Sequence, residues 1–198
     1  YSYNNMGLGN ALKEGKANQA SYQNENKLIG FFARVNYNYK GRYFVSASIR
    51  HEGSSQFGED HKWGNFPAIS LAWNIKGEQF LHNIQAISTL KLRAGFGITG
   101  TEPGTPYLSL NKLNMGGYGY YNGKWTNLLR PDGNPNPDLR WEKKEELNIG
   151  LDFGFLSDRI SGSIDFYNRE TKDLIGDYQV PVPPYFSPWI KANAGSIR

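Results

Sequence analysis

The chain has no cysteine, two methionines, three histidines and no long apolar run. Without cysteine there is no disulfide scaffold and no thiolate zinc site, and the redox compartment stays open. A membrane-spanning helix needs roughly 18 consecutive apolar residues, so helical spans are excluded. Tyr1 is not an initiator, and "YSYNNMGLGN" has neither the basic start nor the apolar stretch of a signal peptide. The chain therefore reads as a piece of a longer protein, and its lack of a targeting segment says nothing about destination. What is present contrasts with these absences. Only 38% of the 198 residues are apolar and the mean hydropathy is −0.62, yet 15% are aromatic and 23 are glycine. Disordered chains are polar but poor in aromatics, so the composition points to β-structure.

The main signal is period-two alternation, the mark of strands with one apolar face. Phe31, Ala33, Val35, Tyr37 and Tyr39 alternate with Phe32, Arg34, Asn36 and Asn38. Tyr43, Val45, Ala47 and Ile49 alternate with Phe44, Ser46, Ser48 and Arg50. Further runs follow over 66–75 (Ile69, Leu71, Trp73, Ile75) and 89–99 (Leu90, Leu92, Ala94, Phe96, Ile98, against Lys91 and Arg93). The last two cover 145–155 (Leu147, Ile149, Leu151, Phe153) and 160–168 (Ile160, Ile164, Phe166). Tyr39 and Tyr43 share a face, so Lys40-Gly41-Arg42 must be an odd-length loop or carry a bulge. The parity switch between the last two strands is explained by a two-residue turn at Ser157-Asp158 that pairs Phe155 with Ile160.

Tight turns thus fall at 40–42 and 157–158, with an intermediate stretch at 76–88. Long polar stretches cover 1–30, 52–65, 99–140 and everything beyond 169. Antiparallel neighbours would put all short turns on one rim and all long loops on the other, the plan of a transmembrane barrel. The runs match the roughly 9–11 residues a tilted strand needs to cross a bilayer. Tyr39, Tyr43 and Phe155 at one rim, and Trp63, Phe66 and Trp141 near the other, suit interfacial aromatic girdles. The competing architecture is a β-sandwich, whose strands are usually shorter.

Several local signals are weak. Gly95-Phe96-Gly97-Ile98-Thr99-Gly100 fits G-x-G-x-x-G, but "TEPGTP" follows where a dinucleotide site needs a helix. His51, Glu52, Glu59, Asp60 and His61 have no calcium or zinc spacing and read as a solvated loop. Glu142, Glu145 and Glu146 beside Lys143 and Lys144 read as rim charges rather than a glycosidase pair. A net charge of +4 is scattered along the chain, which argues against nucleic acid. Catalytic, metal and cofactor residues are expected to be none.

The segments "FFARVNYNYKGRYFVSASIRHEGSSQFG", "WGNFPAISLAWNI", "LKLRAGFGITG", "NPDLRWEKKEELNIGLDFGF", "SGSIDFYNRETKDLI" and "NAGSI" together resemble the barrel of SusC/RagA-type TonB-dependent outer-membrane transporters of Bacteroidetes. The resemblance runs from about residue 28 to the end. It implies an all-β fold of six antiparallel up-and-down strands forming part of a 22-stranded transmembrane β-barrel with a plugged lumen. Residues 1–30 are then an unassigned extracellular loop and 31–198 a partial barrel, with the plug domain and TonB box elsewhere. The implied partners are outer-membrane lipid, a SusD-like surface lipoprotein and TonB, and the implied cargo is an oligosaccharide or a peptide. Arg34, Asn36, Asn38, Ser46, Ser48, Arg50, Lys91 and Arg93 would face the lumen or the plug, because Arg or Lys in lipid costs about 2–4 kcal/mol at the midplane. Tyr107, Tyr118, Tyr120, Tyr121 and Trp125, in the 99–140 loop, are the candidates for substrate or partner contact, since aromatic faces stack on sugar rings. A soluble carbohydrate-binding sandwich and a passive porin are the alternative functions.

Overall fold

The structure is a computed structural model that describes residues 23–198; the first 22 residues, most of the expected leading loop, lie outside the described part. Six long strands form the frame: β1 Leu28–Tyr39, β2 Tyr43–Ser54, β3 Trp63–Asn74, β4 Ile87–Thr101, β7 Glu142–Phe155 and β8 Ile160–Lys172. They lie in one antiparallel sheet in the order β1-β2-β3-β4-β7-β8, closed by the two-residue β11 Ser196–Ile197. Every neighbour in this order is the next frame strand along the chain, so the up-and-down reading holds. No helix among the described residues is long and apolar enough to cross a membrane. β1 begins at Leu28, ahead of the expected boundary at residue 31.

The polar stretches hold more strand than alternation suggested. β2 continues to Ser54 and β3 starts at Trp63, which shrinks the 52–65 loop to 55–62 around a 3-10 turn, Glu59–His61. The 99–140 stretch contains a hairpin, β5 Leu113–Tyr121 and β6 Lys124–Pro131. Beyond 169 lie the end of β8, a second hairpin of β9 Ile175–Gln179 and β10 Trp189–Asn193, and β11.

The turns obey their backbone chemistry. Tyr39 pairs with Tyr43 across a three-residue loop, the odd length parity required, with Lys40 and Gly41 at φ 53° and 66°. Phe155 pairs with Ile160 as expected, but the connection is the four residues 156–159 rather than two. Leu156, Ser157 and Asp158 all have φ between 54° and 60°, a left-handed run that turns the chain without changing the register.

Register joins the strands into two faces. On one, Tyr37, Val45, Leu71, Ala94, Ile149 and Phe166 form a single row across six strands. On the other, Asn36, Ser46, Ser70, Gly95, Asn148 and Tyr167 form the matching row. Among the described residues nothing packs over the apolar face: Val35 is 70% exposed and Phe166 64%. A soluble protein does not leave so broad an apolar sheet in water. In lipid the same surface costs nothing, and the ladder satisfies the backbone as a membrane demands.

The packed core lies at the long-loop rim instead. Phe57, Phe66, Leu139 and Trp141 are buried together, with Ile98, Leu108 and Ile175 against them. The β3–β4 ladder runs only from Asn74/Lys91 to Ala68/Gly97, although both strands continue toward that rim. Phe66 and Trp141, edge to face at 5.2 Å, occupy the opening. Gly64 and Gly100 make this possible: a Cβ at Gly64 would come within 2.6 Å of the Phe66 ring, and one at Gly100 within 2.8 Å of Trp141. Trp141 Nε1 donates to the Lys62 carbonyl at 2.9 Å. The girdle expected from Trp63, Phe66 and Trp141 is therefore Trp63's alone. Trp63 stacks on His51 (centroids 4.7 Å, planes 4° apart) on the apolar face, and Phe31 lies 6.4 Å from each ring.

The short-turn rim carries the second girdle. Tyr39, Tyr43 and Trp73 follow one another at 6.4 and 6.3 Å. Glu78 ties them down, accepting from Tyr43 Oη at 2.7 Å, Trp73 Nε1 at 3.1 Å and Arg42 Nη1 at 3.1 Å. Hydrogen bonds from Tyr43 and then Trp73 hold the Glu78 carboxyl below its ordinary value of 4.5. A depressed carboxylate contributes stability above the ordinary value and loses it as pH falls through the folded one. Trp73 fluorescence of the wild type should therefore shift on acidification from pH 7 and converge on that of Glu78→Gln, which should stay flat. A pH response surviving in the variant would refute the role of Glu78.

Candidate functional site: the polar face and the long-loop rim

All eight residues expected to face inward lie on the polar face. Arg34, Asn36 and Asn38 of β1 pair directly with Ser48, Ser46 and Phe44 of β2, and Arg50 opposes Phe32 and Phe66. Lys91 and Arg93 join them from β4, where Arg93 follows Ala72 in the row that begins at Asn38. Asn36, Asn38, Ser46, Ser70, Arg93 and Asn148 line a shallow hollow of about 420 Å³. Its floor is made of small side chains, so another polypeptide or a solute can approach the backbone closely.

Arg93 anchors the strongest electrostatic feature there. Its Nε and Nη2 donate to the two oxygens of Asp152 at 2.8 Å each, a bidentate fork, and Nη2 also reaches Asp165 Oδ1 at 3.2 Å. Asp165 is two strands away. The strand between places Gly150 in the gap, since Arg93 pairs with Gly150 and Gly150 with Asp165. A Cβ at Gly150 would stand 2.8 Å from Arg93 Nη2 and collide with the Asp165 carboxylate. Gly150→Val should thus break the three-strand bridge. A double-mutant cycle with Asp165→Ala should give a coupling of about 0.5–3 kcal/mol in barrel unfolding; additive effects would count against it. Asp152, Asp165 and Gly150 were missing from the sequence-derived site, because only the register brings them to Arg93. Glu146 and Arg169, directly opposite each other on the same face, add a second pair at 2.7 Å.

The aromatic loop candidates divide. Tyr107 stands apart from the others: its hydroxyl accepts the Glu25 amide at 2.6 Å and so ties the approach to β1. Tyr118 and Tyr120 pair with Asn127 and Trp125 across the β5–β6 hairpin, which puts Tyr118, Tyr120 and Trp125 on one face. The Tyr120 and Trp125 rings meet edge to face at 5.5 Å. Tyr121 pairs with Lys124 and points to the opposite face. The register shift between Met115 and Tyr118 keeps Leu113 and Met115 on the face of Tyr118. Tyr118, Tyr120 and Trp125 are each about 70% exposed.

A second aromatic group escaped the sequence reading. Tyr185, Phe186 and Trp189 are exposed in and beside the β9–β10 loop. Asn134 fixes that loop: its Nδ2 donates to the carbonyls of Ser187 (2.6 Å) and Trp189 (2.9 Å), and its Oδ1 accepts the amides of Phe186 and Ser187. The same segment holds β10 as well, since Asn136 donates to the Lys191 carbonyl and the Arg140 amide to Asn193 Oδ1. His51 and Glu52, read as loop residues, belong to β2 and lie on opposite faces of it.

Fold and faces together define one wall of an antiparallel membrane β-barrel. The family described as "TonB dependent receptor-like, beta-barrel" matches residues 1–198. The chain is 40% identical over 184 residues to the TonB-dependent receptor SusC of Bacteroides thetaiotaomicron, covering 91% of this chain and 18% of that protein. It is 42% identical over 173 residues to the TonB-dependent receptor P39 of Formosa agariphila, covering 86% and 16%. A structure of the RagAB peptide transporter superposes with a TM-score of 0.76 at 27% identity, over 86% of this chain and 18% of that one. The chain belongs to the TonB-dependent receptor β-barrel family, in its SusC/RagA branch, and is an outer-membrane β-barrel protein. It spans less than a fifth of the length of the relatives it matches.

Proposed function

We propose that this wall is part of a TonB-dependent importer of large nutrients, oligosaccharides or peptides, with a SusD-like lipoprotein over its outer mouth. The observation that carries the reading is the partition of the sheet. Arg34, Arg50, Lys91, Arg93 and their polar neighbours occupy one face, and an apolar band the other. The polar face lines the lumen of a plugged, 22-stranded barrel, and residues 23–27 lead into β1 from the extracellular rim. Neither a sandwich nor an open porin accounts for membership in a TonB-dependent family. Energy coupling through TonB resides in the plug and TonB box, outside this wall.

The β5–β6 hairpin supplies substrate contact. Tyr118, Tyr120 and Trp125 share one exposed face, with the Tyr120 and Trp125 rings edge to face, which suits sugar rings or apolar peptide side chains. Trp125→Ala in the full-length transporter should weaken glycan or peptide binding about 3- to 10-fold, the equivalent of about 0.5–1.5 kcal/mol, and slow uptake accordingly. Unchanged binding and uptake would reject a substrate role for the hairpin.

A further inference from the structure

The apolar face ends at the long-loop rim in charges, not in plain polar residues. Leu147, Ile149 and Phe166 close the apolar band on β7 and β8. One step nearer the rim, on that same face, Glu145 opposes Glu170, and one step further Lys143 opposes Lys172. Arg198, following β11, reaches the same surface and donates from Nε to Asn168 Oδ1 at 3.3 Å. Two lysines directly opposite each other on adjacent strands repel. Lys172 is compensated by Glu145 at 2.7 Å and by Glu170 at 3.7 Å. Lys143 has no carboxylate partner among the described residues.

We propose that Lys143, Lys172 and Arg198 hold the phosphate of an outer-leaflet glycolipid, whose acyl chains lie on Leu147, Ile149 and Phe166. Three arguments support this occupant. The cations sit where an apolar band gives way to the long-loop rim, the level of the outer-leaflet headgroups. Their long stems can lie along the band while the charged heads reach the interface. The Lys143 ammonium has no counter-ion among the described residues, and a phosphate oxygen between Lys143 and Lys172 would turn a repulsive pair into two charge-assisted hydrogen bonds. The two carboxylates hold Lys172 and limit the site to one phosphate group. The proposal rests on the reading that the apolar face meets lipid.

The test uses the full-length transporter extracted from outer membranes in mild detergent. Retained lipid per barrel is counted by mass spectrometry after extensive washing. Lys143→Gln with Lys172→Gln should lower retained phosphorylated glycolipid at least threefold while keeping heat-modifiable mobility. Arg169→Gln, three residues deeper on the polar face, should leave retention unchanged. Equal retention in wild type and double variant overturns the proposal, as does an equal loss in the Arg169 variant or a loss confined to phosphoglycerolipids. If the double variant fails to assemble, Lys143→Gln alone carries the same comparison. A folded variant with undiminished glycolipid removes this site and leaves the two-face assignment untouched.

Discussion

Val45→Arg will block barrel assembly, whereas arginine at the adjacent Ser46 will be tolerated. The two residues are neighbours on β2 and differ only in face. Val45 sits between Tyr37 and Leu71 in the apolar row, and Ser46 between Asn36 and Ser70 in the polar one. Arginine facing lipid near the midplane costs about 2–4 kcal/mol, and facing a lumen it has water or plug to solvate it. Arg34 and Arg93 already occupy that side of the sheet. Yield in outer membranes and heat-modifiable mobility measure the difference. Equal loss in both variants, or none in either, would contradict the assignment.

Trp141→Ala will release the long-loop rim without dissolving the sheet. Trp141 is 4% exposed and packs against Phe57 (4.7 Å) and Phe66 (5.2 Å). Removing a buried tryptophan costs about 3–5 kcal/mol. The loss falls where the β3–β4 ladder has ended and Phe66 and Trp141 stand in for backbone pairing. The Gly58 amide bonds to the Leu139 carbonyl in the same cluster, so the 55–62 loop should loosen with the 132–141 segment. Limited proteolysis should cut these two segments in the alanine variant and spare the strands, while Trp141→Phe should be protected. Wild-type protection in Trp141→Ala would mean that the cluster is not what closes the rim.

The frame was legible because each long strand carries its own two-face pattern. Tyr43 to Arg50 announces both strand and faces without reference to any other residue, and the parity of Tyr39 and Tyr43 narrowed the loop to an odd length or a bulge, of which the structure has the odd length. The hairpins were harder. Asn122-Gly123 is a strong two-residue turn signal, with φ of 51° and 80° in the structure. It was masked because the Gly116-Gly117 bulge interrupts the alternation of β5, and because Tyr, Gly and Asn recur on both sides. The rim cluster was legible only as aromatics near one rim: Phe57, Phe66, Leu139 and Trp141 come from three segments, and only Phe66 lies on an alternating strand. In the candidate site, Arg93 was legible as a polar-face cation. Its partners were not, because Asp152 and Asp165 meet it only through the registers of β4–β7 and β7–β8 and the missing side chain of Gly150.

The alternation itself is the most direct test. This chain has no native cysteine, so single thiols at positions 43 to 50 can be spin-labelled without background from the segment. In the reconstituted full-length transporter, labels at 45, 47 and 49 should be relaxed by oxygen dissolved in lipid. Labels at 46, 48 and 50 should respond instead to a water-soluble nickel chelate, or be immobilised by the plug. A uniform response along β2, or the opposite phase, would contradict a barrel wall with Val45 in lipid and Ser46 in the lumen.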